Sequence, residues 1–218
     1  MATDLFKFWR QIGATDFVHP EDAPTFKRLK GQHGFNLNCL PLSFSGPLRH
    51  ARVVLLYLSP GLPKTLVEQS KTPEFQRLYA YQRTGRASLP GPDSPGHKWR
   101  MGRLAFLGDW QKHRDRIAVF NIGAYHSTKF IDHDVLASLP SSRIALDWAQ
   151  SVLFPEAEAG KRVVICMRAA KYWGLRAGET YGKSLFAPNT TRGGHMLADE
   201  QRKIIVRRAQ RALKRSGD

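Results

Sequence analysis

Three short runs constrain this chain most, because nearly every residue in them is apolar: Val53-Val54-Leu55-Leu56-Tyr57-Leu58, Ile117-Ala118-Val119-Phe120-Asn121 and Arg162-Val163-Val164-Ile165-Cys166-Met167. A strand with one wet face alternates apolar and polar residues. A strand covered on both faces does not, and such strands belong almost wholly to parallel sheets flanked by helices. A weaker run is Ser184-Leu185-Phe186-Ala187. Between the runs, apolar residues recur at helical spacing, as in Phe75-Leu78-Tyr79-Gln82, Leu104-Leu107-Trp110 and Ile144-Trp148-Val152. After the last run, Ile204-Ile205-Ala209-Ala212-Leu213 forms an apolar stripe. Asp199 and Glu200 open it, where the helix dipole favours acids. This order predicts an α/β protein, a three-layer α/β/α arrangement around a four-stranded, mainly parallel sheet. The 218 residues read as one domain. Residues 51–218 form the core, and residues 1–50 form a helical and irregular N-terminal extension packed on it. Short helices are expected at Asp4–Ile12 and Glu21–Leu29, followed by an irregular stretch to Pro47.

Charge supplies the first functional constraint. There are 34 Lys and Arg against 18 Asp and Glu, a formal net charge of +16. Self-repulsion disfavours so unbalanced a compact chain, and a polyanionic partner turns the repulsion into attraction. The basic residues are spread through folded sequence (Arg83 to Arg86, Lys98 to Arg103, Lys112 to Arg116, Arg192) rather than gathered in a tail. That distribution points to a basic face on a domain and to DNA or RNA as partner.

Several classes are disfavoured. The longest apolar run, Val53 to Leu58, is far short of the roughly 20 residues of a membrane span. The N-terminus, Asp4-Leu5-Phe6-Lys7-Phe8-Trp9-Arg10, does not read as a secretory signal, so a cytoplasmic location is expected. Cys39 and Cys166 make neither a disulfide framework nor a zinc site, and read as buried reduced thiols. No GxxxxGK[ST] loop, dinucleotide-binding glycine pattern, HExxH or GxSxG elbow occurs. Asp132-His133-Asp134 is a poor metal site, because three consecutive loop residues rarely converge on one ion. No cofactor and no metal are expected.

In open α/β sheets, ligands bind beyond the carboxyl ends of the strands. That rule selects Ser59-Pro60-Gly61-Leu62-Pro63, Asn121 to Ser127, Arg168 to Trp173 and Pro188 to His195. They offer Asn, Ser, His, Tyr and backbone, and few acids. The loop Arg83 to Lys98 is rich in Gly, Pro, Ser and Arg, and long loops in compact domains are often functional.

The order of these segments resembles the uracil-DNA glycosylase superfamily. Its first motif, at the end of the first strand, reads Asp-Pro-Tyr or Asn-Pro-Gly; here it is Ser59-Pro60-Gly61. Its second is an apolar strand ending in Asn; here it is Ile117 to Asn121. The following Ala124-Tyr125-His126-Ser127 resembles a Pro-Tyr-His-Ser stretch of bacterial relatives. The closing motif, usually His-Pro-Ser-Pro, has Ala187-Pro188-Asn189-Thr190-Thr191 in its place, followed by Arg192-Gly193-Gly194-His195-Met196-Leu197. The resemblance covers Val53 to the end. Three departures are Ser59, where the family has Asp or Asn, Asn189, nearest to the missing His, and the N-terminal region, which has no counterpart in the family.

The resemblance implies a metal-free, monofunctional DNA glycosylase, acting as a monomer on single- or double-stranded modified DNA. It flips a base out of the stack and hydrolyses its glycosidic bond through an oxocarbenium-like sugar. Expected catalytic residues are Ser59 on the attacking water, Asn121 on the pyrimidine edge, and His126 donating to the leaving base or a phosphate. Pro60, Gly61, Gly123, Tyr125 and Asn189 are expected to bind substrate. Arg192, His195, Met196, Lys98 and Arg100 are expected to bind DNA, with Met196 or Leu197 as a wedge. Glu68 or Asp109 is a possible partner for the water, and Phe75, Tyr79 and Trp99 are possible stacking partners or core. Gly61 stands where uracil-specific members carry Tyr, so the pocket is expected to tolerate a substituent on carbon 5. Uracil, hydroxymethyluracil and the glucosylated hydroxymethylcytosine of phage DNA all fit that expectation, the last as in anti-phage glycosylases. A non-catalytic reader of modified bases, a basic nuclease and a structural nucleic-acid binder stand as alternatives.

Overall fold

The structure is a computed structural model that describes residues 4–215. Two short helices open it, α1 (Leu5–Trp9) and α2 (Ala23–Leu29). The Asp4 side chain caps α1 by accepting from the N–H groups of Phe6 and Lys7. A strand pair of residues, β1 (Phe44–Ser45), precedes the first long strand, β2 (Val53–Tyr57). Helices α3 (Leu66–Gln69), α4 (Pro73–Gln82) and α5 (His97–Leu104) lead to β3 (Ile117–Asn121). Then come α6 (His133–Ser138), α7 (Pro140–Trp148) and α8 (Phe154–Glu158), the last two joined by a π-helical turn at Ala149–Leu153. Strands β4 (Val163–Cys166), β5 (Glu179–Tyr181) and β6 (Leu185–Ala187) precede the final helix, α9 (Glu200–Lys214).

The strands form one six-stranded, mostly parallel sheet in the order β1-β3-β2-β4-β6-β5. The four apolar runs are its four parallel strands, and β2 lies between β3 and β4. The register runs from Val53 opposite Ile117 to Tyr57 opposite Asn121. The expected count of four strands is corrected to six. Phe44–Ser45 adds antiparallel to β3 and Glu179–Tyr181 adds antiparallel to β6. Both edges are too short or too exposed to show a strand pattern, and β1 falls in the stretch expected to be irregular.

Successive strand residues point to opposite faces, and both faces are covered. Val54, Leu56, Ala118, Phe120, Val164 and Cys166 pack under α1, α7 and α8, with Phe6 and Trp148 edge-on to one another. Val53, Leu55, Ile117, Val119, Val163 and Ile165 pack under α9 and the end of α5. Each such aliphatic side chain contributes about 1.5–3 kcal/mol on burial. The stripe on α9 is narrower than its composition suggests. Ile205, Ala209 and Leu213 are buried, whereas Ile204 faces solvent. The expected helical run through Leu107 and Trp110 is corrected as well. It breaks into two 3₁₀ turns around Gly108, whose φ of +78° no continuous helix accommodates. Gly46 permits close contact between the strands' edges, since a Cβ there would lie 2.3 Å from the Ile117 carbonyl oxygen. No helix among the described residues is long and apolar enough to cross a membrane.

Candidate functional site

The turns that leave β2 and β3 remain joined beyond the sheet. Ile122 N–H donates to the Tyr57 carbonyl at 3.2 Å, Gly123 N–H to Leu58 at 2.8 Å, and Ser127 N–H to Pro60 at 3.0 Å. The His126 ring closes the set, donating from Nδ1 to the Gly61 carbonyl at 2.7 Å. Two chain segments 65 residues apart thereby act as one rigid rim.

That rim borders a cleft of about 470 Å³ at the carboxyl ends of β2 and β3. Ser59, Pro60 and Gly61 contribute one wall, and Asn121 and His126 come from the neighbouring turn. Pro95, Gly96 and Trp99, from the start of α5 and the loop before it, line another wall. Arg100, Arg103, Lys129 and Arg168 also line the cleft, while among the described residues no Asp or Glu lines it. Every formal charge on the cleft wall is therefore positive. Such a site favours anions and offers no carboxylate as a base. Among the described residues, no group of three or more His, Cys, Asp or Glu is placed to hold a metal ion.

Asn121 is 3% exposed, and its Nδ2 donates to the Leu42 carbonyl at 3.1 Å. This bond fixes the amide orientation and leaves Oδ1 as the acceptor for a ligand. His126 has a different role from the one its type suggests. Its Nδ1 proton is committed to Gly61, and burial holds the imidazole down to about 4, outweighing the nearby Gly61 and Leu40 carbonyls. The ring is neutral near pH 7 with its proton on Nδ1, so Nε2 is the bare nitrogen, and it has no hydrogen-bond partner among the described residues. The expected donation from His126 to a leaving base or phosphate is corrected: it positions the Gly61 turn.

Arg100 is similarly committed. Its guanidinium donates to the carbonyls of Pro95 (3.0 Å) and Gly91 (3.3 Å) and to the Ser94 side chain. It is 7% exposed, and burial lowers it to about 10. It touches the cleft but ties the preceding loop, so the expectation that it grips DNA is corrected. That loop is tied at both ends and lends Leu89, Pro95 and Gly96 to the cleft. Gln82 anchors its base, accepting from Gly46 N–H at 2.8 Å and donating to the Ser88 carbonyl at 2.9 Å.

The remaining expected residues divide clearly. Gly123 lies behind the rim, where a Cβ would meet Leu136, Phe35 and the Leu58 carbonyl within 3.2 Å. Tyr125 is 0% exposed; its hydroxyl donates to Asp22 at 2.6 Å and accepts from His19 N–H at 3.1 Å. Both belong to packing, and their placement in the substrate pocket is corrected. Asn189 is exposed beside Gly178 and does not line the cleft, although Gly193 of the same loop does. Met196 is 8% exposed and packs in the core under α9, so it is no wedge, whereas Leu197 is 45% exposed. Lys98, Arg192 and His195 are exposed and lie outside the cleft lining. His195 Nε2 contacts the Arg103 guanidinium. Glu68 pairs with Lys71, and Asp109 with Lys112, both at the surface and outside the cleft lining. Phe75 is core, Tyr79 is buried at the cleft floor, and Trp99 is 39% exposed against it.

Sequence reasoning missed Tyr57, Arg103 and Lys129 as cleft residues. Tyr57 sits inside an apolar run and reads as core. Its only signal was a hydroxyl at the last position of a strand, where the ligand rule applies.

Comparison with protein-family models, curated proteins and solved structures finds no match to this chain.

Proposed function

We propose that the protein is a DNA glycosylase of the uracil-DNA glycosylase kind, which releases a carbon-5-substituted pyrimidine and leaves an abasic site. The observation that carries this reading is the meeting of Ser59, Gly61 and Asn121 in one cationic cleft at the strand ends. The central parallel order, with the Asn-bearing strand next to the Ser-Pro-Gly strand, supports it.

In this reading a nucleotide leaves the stack at a cost of a few kcal/mol, offset by cations gripping the flanking phosphates. Asn121 Oδ1 accepts an N–H from the base edge, and Trp99 offers a partly exposed face to the ring. The glycosidic electron pair departs onto the base nitrogen, water adds to the sugar carbon beside Ser59, and the proton that the water gives up neutralises the departed base anion. With no acid on the cleft wall, the driving term is stabilisation of the departing anionic base and of the cationic sugar by DNA phosphates. A Cβ added at Gly61 meets nothing within 4 Å, which supports room for a carbon-5 substituent.

The test is mass spectrometry of small molecules released from a panel of modified DNAs, paired with alkaline heating of the DNA. Free base and alkali-dependent strand breaks are expected. The absence of any carboxylate from the cleft also favours a second reading, a reader of modified bases that binds without cutting. It predicts DNA retention with no released base and no alkali-labile sites.

A further inference from the structure

Tyr57 is the register partner of Asn121, so the two side chains leave adjacent strand ends on the same face of the sheet. Both line the cleft. The Tyr57 ring is only 5% exposed, and its hydroxyl is buried without a hydrogen-bond partner among the described residues. A buried hydroxyl in that state calls for an explanation. Burial raises its pKa, so it presents an O–H donor and not a phenolate.

Its surroundings are donors too. Arg103 from α5 and Arg168 after β4 line the same cleft, and both act on the phenol electrostatically. The Arg103 Nε is also buried and unpartnered. Two glycines bring the loop before α9 up to this group. A Cβ on Gly194 would lie 3.4 Å from Tyr57 Cε1, and one on Gly193 would lie 3.4 Å from Arg103 Nη2. The edge of Trp99 packs against the Tyr57 ring, with centroids 5.0 Å apart, and holds it in place. Three elements thus converge donors on one wall, with no Asp or Glu in the cleft to neutralise them.

We infer that Tyr57, Arg103 and Arg168 form a phosphate subsite beside the base-reading position of Asn121, an assignment that rests on the glycosylase reading for the identity of the nucleotide. Guanidinium groups match phosphate oxygens, and a neutral hydroxyl adds a third donor without a counter-charge. The complement of this wall is the phosphate of the nucleotide whose base reaches Asn121. This subsite lies inside the cleft and is separate from the exposed Arg192 and Lys98.

The experiment is calorimetric titration of the full chain with 2′-deoxycytidine 5′-monophosphate, 2′-deoxycytidine and inorganic phosphate. The monophosphate is expected to bind at least tenfold tighter than the nucleoside. Tyr57→Phe and Arg168→Gln are each expected to cut that advantage at least threefold, and their combination to abolish it. Tyr57→Phe is expected to melt at or above the wild-type temperature, because the lost hydroxyl had no partner, so reduced binding there is not a folding defect. Equal affinity for nucleotide and nucleoside, an advantage unchanged in every variant, or no binding of either ligand overturns the subsite. Base release from DNA is scored separately. Phosphate-dependent binding without base release refutes the glycosylase reading and keeps the subsite; base release without a phosphate advantage does the reverse.

Discussion

The imidazole of His126 donates from Nδ1 to the carbonyl oxygen of Gly61 at 2.7 Å, and this bond pins the turn after β3 to the turn after β2. Because the ring is 3% exposed and neutral, it works as a fixed strut whose one proton is spent on that carbonyl.

A pH dependence follows. The imidazole titrates at its ordinary 6.5 in the unfolded chain and at about 4 in the folded one. Between those values the unfolded chain holds a proton that the native state lacks. Its contribution is intact above pH 6.5 and is lost as pH falls toward 4, by up to about 3 kcal/mol. Urea unfolding from pH 7 to 4 should show that loss. His126→Gln keeps an N–H for Gly61 without titrating, so its profile should be flatter by the same amount. Superimposable profiles would remove His126 from this role.

Asn121→Ala should reduce base release about 10- to 100-fold, the equivalent of roughly 1–3 kcal/mol for a lost hydrogen bond in a dry site. DNA affinity should change far less, because the phosphate contacts are elsewhere. Single-turnover release measured beside equilibrium DNA binding decides this. Matching losses in the two would move Asn121 from chemistry to structure.

Gly61→Tyr places a ring in open space at the cleft wall without backbone strain, since Gly61 is not among the positive-φ glycines. The folded state should survive, as checked by thermal melting. Excision of carbon-5-modified pyrimidines should disappear. Undiminished excision would sink the account of substrate size.

Tyr125→Phe separates the two meanings of that residue. The hydroxyl bridges Asp22 and His19 in the core, 103 residues from Asp22. Losing it leaves the fully buried Asp22 with one bond fewer and should destabilise the fold by about 1–3 kcal/mol. Base release well below the melting temperature should be unaltered. A selective loss of release with unchanged stability would return Tyr125 to the pocket.

The sheet was readable because its four parallel strands are covered on both faces, which erases polar alternation and leaves uninterrupted apolar runs. Phe44–Ser45 and Glu179–Tyr181 escaped because an edge strand of two or three residues buries too little to impose a pattern. The strand-end rule found Ser59, Pro60, Gly61, Asn121 and His126, all of which reach one cleft. Charge in the sequence does not distinguish a guanidinium that grips DNA from one that ties loop carbonyls, as Arg100 does. Nor does the sequence show that Met196 turns inward while its neighbour Leu197 turns outward. Those choices depend on contacts distant in sequence, as the Tyr125–Asp22 pair shows most plainly.

The in-register pairing of Tyr57 with Asn121 has a consequence for altering this opening. Side chains alternate along a strand, so one residue inserted within β2 ahead of Leu56 would rotate the hydroxyl to the far side and present Leu56 to the ligand instead. Substitutions can retune the lining one position at a time. A single-residue change in length within β2 would exchange the one side chain that this strand presents to the cleft.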